Sequence, residues 1–297
     1  MTSSEPAKAW TIGKILEWAT SDFRARGIPS PRLDAEVLLA FAIGEGRVKL
    51  VVDRDRPLVP AELQRFRELV KRRRTSEPVA YLVGTREFYG RSFRVDRRVL
   101  VPRPDTEALV DVALARTAHV SMSLRGLDLC TGSGCVAISI ARERPTVSVY
   151  ATDISEDALT VARENALRLG AYNVSFARAD LFEGLGQGLT SGRRTFDLVV
   201  ANPPYVASAE IAELAPDVRD HEPRAALDGG ADGLRLLRRI IEGAPRHLAS
   251  NGTLAVEVGA GQAGEVEQLL RAGGWGDVWR AKDYGGIERV VSARWPA

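Results

Sequence analysis

The sequence predicts an α/β protein: a mostly parallel sheet covered by helices on both faces, preceded by a small helical bundle and a hairpin. Three observations carry this. From Asp105 onward short apolar strands alternate with amphipathic helical stretches, the pattern of repeated βαβ units. A glycine turn, Gly132-Ser133-Gly134, stands directly between the first of these strands and the next helix. Before residue 85 the apolar residues recur at helical spacing instead.

Taken in order, Ile12, Ile15, Leu16 and Ala19 give a first helix, broken by Gly27-Ile28-Pro29. Pro31 opens a second, with Leu33, Val37, Leu38 and Phe41 on one face and Gly44 at its end. A third starts near Pro60 and ends in Lys71-Arg72-Arg73-Arg74, where cations suit the negative end of the helix dipole. A short helical turn follows Pro78. These helices make up a domain over residues 1–84. Residues 85–104 change period: aromatic and β-branched residues flank Gly90, a hairpin pattern, and Pro102 and Pro104 close it as a linker. Residues 105–297 form the second domain. Its strands are expected at Leu124–Cys130, Val147–Thr152, Val174–Ala177, Phe196–Ala201, Thr253–Val258, Val278–Ala281 and Glu288–Ala293. Helices are expected through Leu109–Val112, from Val136, over Ser155–Gly170 with Ser155 as N-cap, over Gly233–Leu248, and after Gly261.

With 297 residues, 45% of them hydrophobic, the chain can bury a large core and a smaller one. No apolar run is long enough to span a membrane. Met1–Pro6 lacks the basic and apolar regions of a secretory signal. Cys130 and Cys135 are the only cysteines, which suits a reducing, cytoplasmic setting. None of the three histidines lies at ligand spacing from them, so no metal is expected. Between Arg65 and Arg103 stand twelve basic and four acidic residues, on a chain whose net charge is only +2. Such a basic belt is either a solvated Arg-rich face or a docking surface for an acidic partner.

The chemistry lies in two motifs. In Leu127-Asp128-Leu129-Cys130-Thr131-Gly132-Ser133-Gly134 the glycines let the backbone turn tightly and approach a ligand. Asp153 ends the next strand, 21 residues after Gly132, where a carboxylate can accept from ribose hydroxyls. Asp180, after the third strand, suits an adenine amino group. The same turn also fits a dinucleotide fingerprint. The second motif, Asn202-Pro203-Pro204-Tyr205, follows the fourth strand. Prolines add carbonyls without donors, and the Asn202 side chain adds another acceptor oxygen. Such a loop can hold a planar –NH₂ by both hydrogens, with Tyr205 as an aromatic surface beside it. Holding the nitrogen localises a lone pair that is otherwise delocalised. A nucleotide-like cofactor beside an amino-gripping loop indicates S-adenosylmethionine-dependent N-methylation.

Seven stretches, Arg32–Ala40, Gly84–Val95, Leu100–Val110, Leu127–Ile138, Asn202–Tyr205, Glu222–Leu234 and Asp283–Val291, together resemble the bacterial release-factor glutamine methyltransferases, the PrmC/HemK family. The resemblance spans nearly the whole chain. It implies a Rossmann-like methyltransferase domain with a seven-stranded sheet, behind a helical domain that recognises the substrate. It implies S-adenosylmethionine as cofactor. The implied substrate is the glutamine amide in the Gly-Gly-Gln loop of class-1 peptide-chain release factors, bound by a monomer. Cys130, Thr131, Gly132, Ser133, Gly134, Asp153, Asp180, Leu181 and Asn202 match cofactor contacts. Some members carry tryptophan where Leu181 stands. Asn202, Pro203, Pro204 and Tyr205 match the substrate grip, with Asn202, Pro203 and Tyr205 in catalysis. Arg103, Thr106 and Glu107 lie in a matching stretch without an assigned role.

Three rivals make different demands. A DNA adenine methyltransferase needs a base-recognition region, whereas the insertion Ser208–Gly230 is rich in Glu and Asp and would repel phosphates. A nucleotide-dependent oxidoreductase leaves the Pro-Pro loop unexplained. A non-catalytic adaptor leaves the whole glycine-turn constellation idle.

Overall fold

A computed structural model describes residues 10–120, 124–185 and 195–296; Met1–Pro6, read above as lacking a signal, lies outside the described residues. The chain divides into two compact units, Met1–Gly84 with Ala215–His221, and Thr85–Leu214 with Glu222–Ala297.

The first unit holds α1 (Ile12–Ala25), α2 (Pro31–Ile43), α3 (Arg47–Val52), α4 (Pro60–Arg73) and α5 (Val79–Val83). The Thr11 hydroxyl caps α1 by accepting from the Lys14 N–H. Prolines open α2 and α4, where their missing N–H costs nothing. Phe23, Leu38, Leu39 and Phe66 are fully buried and fill the core. Helix α3 is absent from the sequence expectation. It buries only Leu50, so it shows no apolar period to read. The segment Ala215–His221, assigned above to the second domain, belongs here: His221 Nε2 lies 2.8 Å from the Thr75 carbonyl.

Inside this unit the Arg73 guanidinium donates to Asp34 at 2.8 Å, both side chains being buried. Burial pushes the Asp34 carboxyl up, and Arg73 opposes that shift. Removing one partner leaves a charge without water or counter-ion. Arg73→Ala should therefore lose about 3–5 kcal/mol of stability in urea unfolding. A loss under about 1 kcal/mol would mean that water solvates the pair.

The second unit opens with the hairpin β1 (Thr85–Phe88) and β2 (Arg91–Arg94), turning at Tyr89-Gly90, both in the left-handed region. Helix α6 (Glu107–Arg116) leads to β3 (Arg125–Leu129) and α7 (Cys135–Glu143). Then come β4 (Ser148–Asp153), α8 (Glu156–Arg168), β5 (Val174–Arg178) and β6 (Phe196–Ala201). The short helix α9 (Pro216–Arg219) lies in the segment of the first unit. The chain closes with α10 (Arg235–Gly243), β7 (Leu248–Glu257), α11 (Ala263–Ala272), β8 (Gly276–Lys282) and β9 (Glu288–Arg294). Helix α10 stops earlier than its apolar pattern suggests, because Gly243 and Pro245 cannot continue it; β7 then starts at Leu248.

The sheet order is β5-β4-β3-β6-β7-β9-β8. Its first five strands are parallel; β9 pairs antiparallel with both β7 and β8, so that it alone is reversed. Alternate residues of the central strands bury opposite faces. Leu198, Val200 and Ala255 face one cluster, while Leu127, Val199, Leu254 and Val256 face the other. This is a Rossmann-like methyltransferase sheet, as the sequence predicts. Among the described residues no helix is long and apolar enough to cross a membrane.

Candidate active site

The chain runs from β3 outward to β5, then crosses back to β6 on the other side of β3. Ligands of open parallel sheets bind at the carboxyl ends of strands beside such a reversal. Register brings the candidate residues together there. Leu129 pairs with both Thr152 and Ala201, so Cys130, Asp153 and Asn202 leave the sheet at one level. Asp180 follows the end of β5. A cavity of about 670 Å³ is lined by Cys130, Thr131, Gly132, Ser133, Asp153, Asp180, Leu181, Asn202 and Pro204. Gly134, Pro203 and Tyr205 are not in its lining.

Gly134 has a structural reason to be glycine. It turns at φ +81° into α7, and a Cβ there would come within 2.9 Å of Ile138 and 3.2 Å of Ala162. The turn is then fixed by carboxylates. Asp153 accepts from the Gly132 N–H and the Ser155 N–H, both at 2.9 Å. Asp128 is buried and accepts from the Thr131 hydroxyl at 2.6 Å and the Ala137 N–H at 3.2 Å. Burial takes the Asp128 carboxyl up to about 7 and raises Asp153 as well. Fully buried Asn165 donates to the Ser133 carbonyl and exchanges two hydrogen bonds with the Arg94 backbone, so the hairpin braces the turn. Burial also keeps the thiols of Cys130 and Cys135 protonated, Cys135 being pushed up to about 12. Among the described residues no cluster of His, Cys, Asp and Glu could hold a metal ion. Asp180 Oδ1 accepts from Arg239 at 3.1 Å.

On the other side, Asn202 Nδ2 donates to the Thr106 hydroxyl at 3.2 Å. The Tyr205 hydroxyl turns to Glu257 at the end of β7 and donates to Oε1 at 3.1 Å. The Tyr205 carbonyl accepts from Gln262 at 2.9 Å. Gly233 passes so close to this carbonyl that a Cβ would overlap it. Arg103 donates to buried Glu222 at 2.6 Å, and Glu107 accepts from the Tyr89 N–H at 2.7 Å. Arg289 holds Asp283 and Asp105 together near Glu257. Thr106, Arg103 and Glu107 thus gain contacts that sequence reasoning did not supply. Asp128, Asn165, Glu257 and Gln262 went unflagged as site residues. The one signal for Asp128 and Glu257 is an acid inside an otherwise apolar strand.

The PrmC N-terminal domain family matches residues 14–84, and a methyltransferase domain family matches residues 121–273. The release factor glutamine methyltransferase of Geobacter sulfurreducens is 43% identical, over 98% of this chain and 99% of its own length. That of Rhodopirellula baltica is also 43% identical, over 95% and 96%. The chain belongs to the release factor glutamine methyltransferase family. The hMettl16 catalytic domain in complex with MAT2A 3′UTR hairpin 1 has a TM-score of 0.57 at 17% identity, covering 71% of this chain and 76% of that one; this likeness concerns the fold.

As in any buried carboxyl with few donors, desolvation raises Glu257, to about 7. Its unfolded value is about 4.3. A raised folded value contributes stability at low pH that is lost as pH climbs through about 7. Asp128 acts in the same sense. Unfolding free energy should therefore fall between about pH 4 and pH 7. Glu257→Gln should flatten part of that slope in urea titrations, and an unchanged slope would show that Glu257 is not shifted.

Proposed function

We propose that this family member transfers a methyl group from S-adenosylmethionine to the side-chain amide nitrogen, N5, of the glutamine in the Gly-Gly-Gln loop of class-1 release factors. The observation that carries the reading is Asn202, on one cavity wall with the glycine turn and Asp153, its –NH₂ engaged by Thr106 and its oxygen left to accept.

The residues present fit the cofactor. A Cβ on Gly132 would meet no neighbouring atom, so that backbone is open to a ligand. Asp153 retains lone pairs for ribose hydroxyls beyond its two N–H bonds. Ile154, Ala179 and Leu181 offer an apolar wall for a planar base, with Asp180 at its edge. When bound, the cofactor supplies an electrophilic methyl on a sulfonium. The chain's own residues do the rest. Asn202 Oδ1 and the Pro203 carbonyl accept the two amide hydrogens, fix the nitrogen in line and stabilise the positive charge it gains. Tyr205 holds the loop, with its hydroxyl committed to Glu257. Alignment of this kind can supply up to ~7–11 kcal/mol of a barrier. No strong base is required, because the proton leaves after transfer.

The first unit serves as the recognition module. At least seven of the twelve belt residues, Arg72, Arg73, Arg74, Arg91, Arg94, Arg98 and Arg103, already pair with carboxylates. Charge alone is therefore a weak docking signal. Val48, Val51 and Val52 are all at least 72% exposed and lie on one face of α3. Exposed apolar groups in such a cluster suit a protein partner. Two unmodified thiols favour the cytoplasm as its compartment.

Labelled methyl transfer to intact release factor, to its Gln→Ala loop variant and to duplex DNA tests the reaction; label on the factor alone is expected. Label on DNA, or on the Gln→Ala factor, refutes it. Asn202→Ala should lower turnover by ~10²–10³, with cofactor affinity affected less. Val48→Asp combined with Val51→Asp should raise KM for the intact factor about tenfold, leaving a short Gly-Gly-Gln peptide unaffected. Equal effects on both substrates would remove α3 from recognition.

A further inference from the structure

Resting on the amide-gripping reading above, we propose that Thr106 and Glu257 are positioning residues that decide which end of the Asn202 amide faces the cavity. An asparagine side chain can present either an acceptor or a donor, and the two ends have nearly the same shape. Only the acceptor end can hold a substrate –NH₂. The donor end would confront it with hydrogens.

The choice is made in the cavity wall, which Thr106 and Asn202 both line. Asn202 Nδ2 donates to Thr106 Oγ1. Thr106 is only 2% exposed, so its single hydroxyl proton must find an acceptor within the protein. Glu257 lies beside it, and that hydroxyl draws the carboxyl's pKa down. Glu257 is 1% exposed; its Oε1 accepts from Tyr205, while its Oε2 has no hydrogen-bond partner among the described residues. An ionised carboxylate can only accept. The partnerless Oε2 is the acceptor this assigns to the Thr106 proton; with Glu257 ionised and taking that hydrogen bond, Thr106 must accept from Asn202, which only the –NH₂ end can satisfy. The donor sense of the whole chain, Asn202 to Thr106 to Glu257, thereby has one direction. The same carboxylate accepts from the Tyr205 hydroxyl and so ties the far end of the tetrapeptide as well.

Protonation undoes this. A neutral Glu257 can donate to Thr106, which then donates to the Asn202 oxygen and turns the amide around. Burial brings that protonation up to about pH 7. The charged and titratable groups acting on Glu257 are Arg289 and Tyr205, which hold it ionised, and Asp105, which opposes them. Cys135 also feels its charge.

The test uses the full chain, intact release factor and labelled cofactor, with kcat, KM and pH profile measured for wild type, Thr106→Val, Thr106→Ser and Glu257→Gln. Thr106→Val keeps the shape and should lower kcat about ten- to a hundredfold with cofactor affinity by calorimetry unchanged. Thr106→Ser restores the hydroxyl and should recover most of the rate. Wild-type kcat should rise with pH through a limb near neutrality, and Glu257→Gln should lose that limb along with most of its rate. In ¹⁵N spectra the Asn202 side-chain protons should lose protection from solvent exchange in Thr106→Val. Thr106→Val with wild-type kcat, or Glu257→Gln with an unaltered pH limb, overturns the inference. Thr106→Ser no better than Thr106→Val also overturns it. A wild-type protein that leaves the release-factor glutamine unlabelled overturns the reaction assignment itself, an outcome distinct from a labelled glutamine with insensitive variants.

Discussion

Strand β3 pairs in parallel with β4 on one edge and with β6 on the other, and one residue, Leu129, is in register with Thr152 and Ala201 at once. Everything at the cavity follows from that double pairing. Parallel strands must all deliver their next residues at the same end of the sheet. The glycine turn, Asp153 and Asn202 are about twenty or more residues apart in sequence, yet they emerge side by side. A slip of one residue in either pairing would rotate these groups to the opposite face. The apolar alternation that buries Leu198 and Val200 on one side and Val199 on the other prevents the slip. Core packing thus sets the alignment of the candidate site, and Cys130 and Tyr205 pack directly against that core.

Behind this line of residues the protein tolerates polar groups that cost stability. Asp128, Asn165 and Glu257 are almost fully enclosed. A buried polar group is costly unless satisfied, so each must serve some local geometry. Asp128 and Asn165 tie down backbone around the glycine turn. Glu257 instead ties down side chains of the opposite loop, and its second oxygen is left without a partner among the described residues. Arg289, restrained by Asp283 and Asp105, sits where a positive field offsets part of that cost. Two of the stretches that carry the family resemblance, Leu100–Val110 and Asp283–Val291, supply this scaffold, and neither contributes an obvious reactive group.

How far the sequence could be read differs between these layers. Strand ends were legible because Gly132, Asp153 and Asn202 each follow an apolar run directly, and period-2 burial marks such runs well. The N-cap at Ser155 and the glycine stop at Gly44 were legible for the same local reason. Helix α3 was not, since a six-residue helix that buries only Leu50 has no periodicity. The end of α10 was overrun because its apolar pattern continues past Gly243 while its backbone cannot. Glu257, Asp128 and Asn165 escaped because their importance depends on who faces them across 3 to 71 residues of chain. A carboxylate ending a strand looks the same in sequence whether it meets water or a threonine hydroxyl.

The grip proposed for Asn202-Pro203-Pro204-Tyr205 does not by itself single out glutamine. To a cradle of oxygens, a carboxamide and the amino group of a nucleobase are alike: planar, with two hydrogens and a delocalised lone pair. A sheet of this type also supports many unrelated acceptors, so fold and tetrapeptide together leave the substrate open. Discrimination must come from chain outside the catalytic sheet. The covalent path is suggestive in this respect. After Tyr205 the chain leaves the second unit at Leu214, spends Ala215–His221 in the first, and returns at Glu222. Glu222 is buried on its return and holds both the Arg103 guanidinium and the Val101 N–H, three residues or fewer from the turn that carries Thr106. The tetrapeptide thus ends nine residues before the chain leaves the second unit at Leu214, and Glu222, the first residue after the return, is bonded to the segment that leads into Thr106.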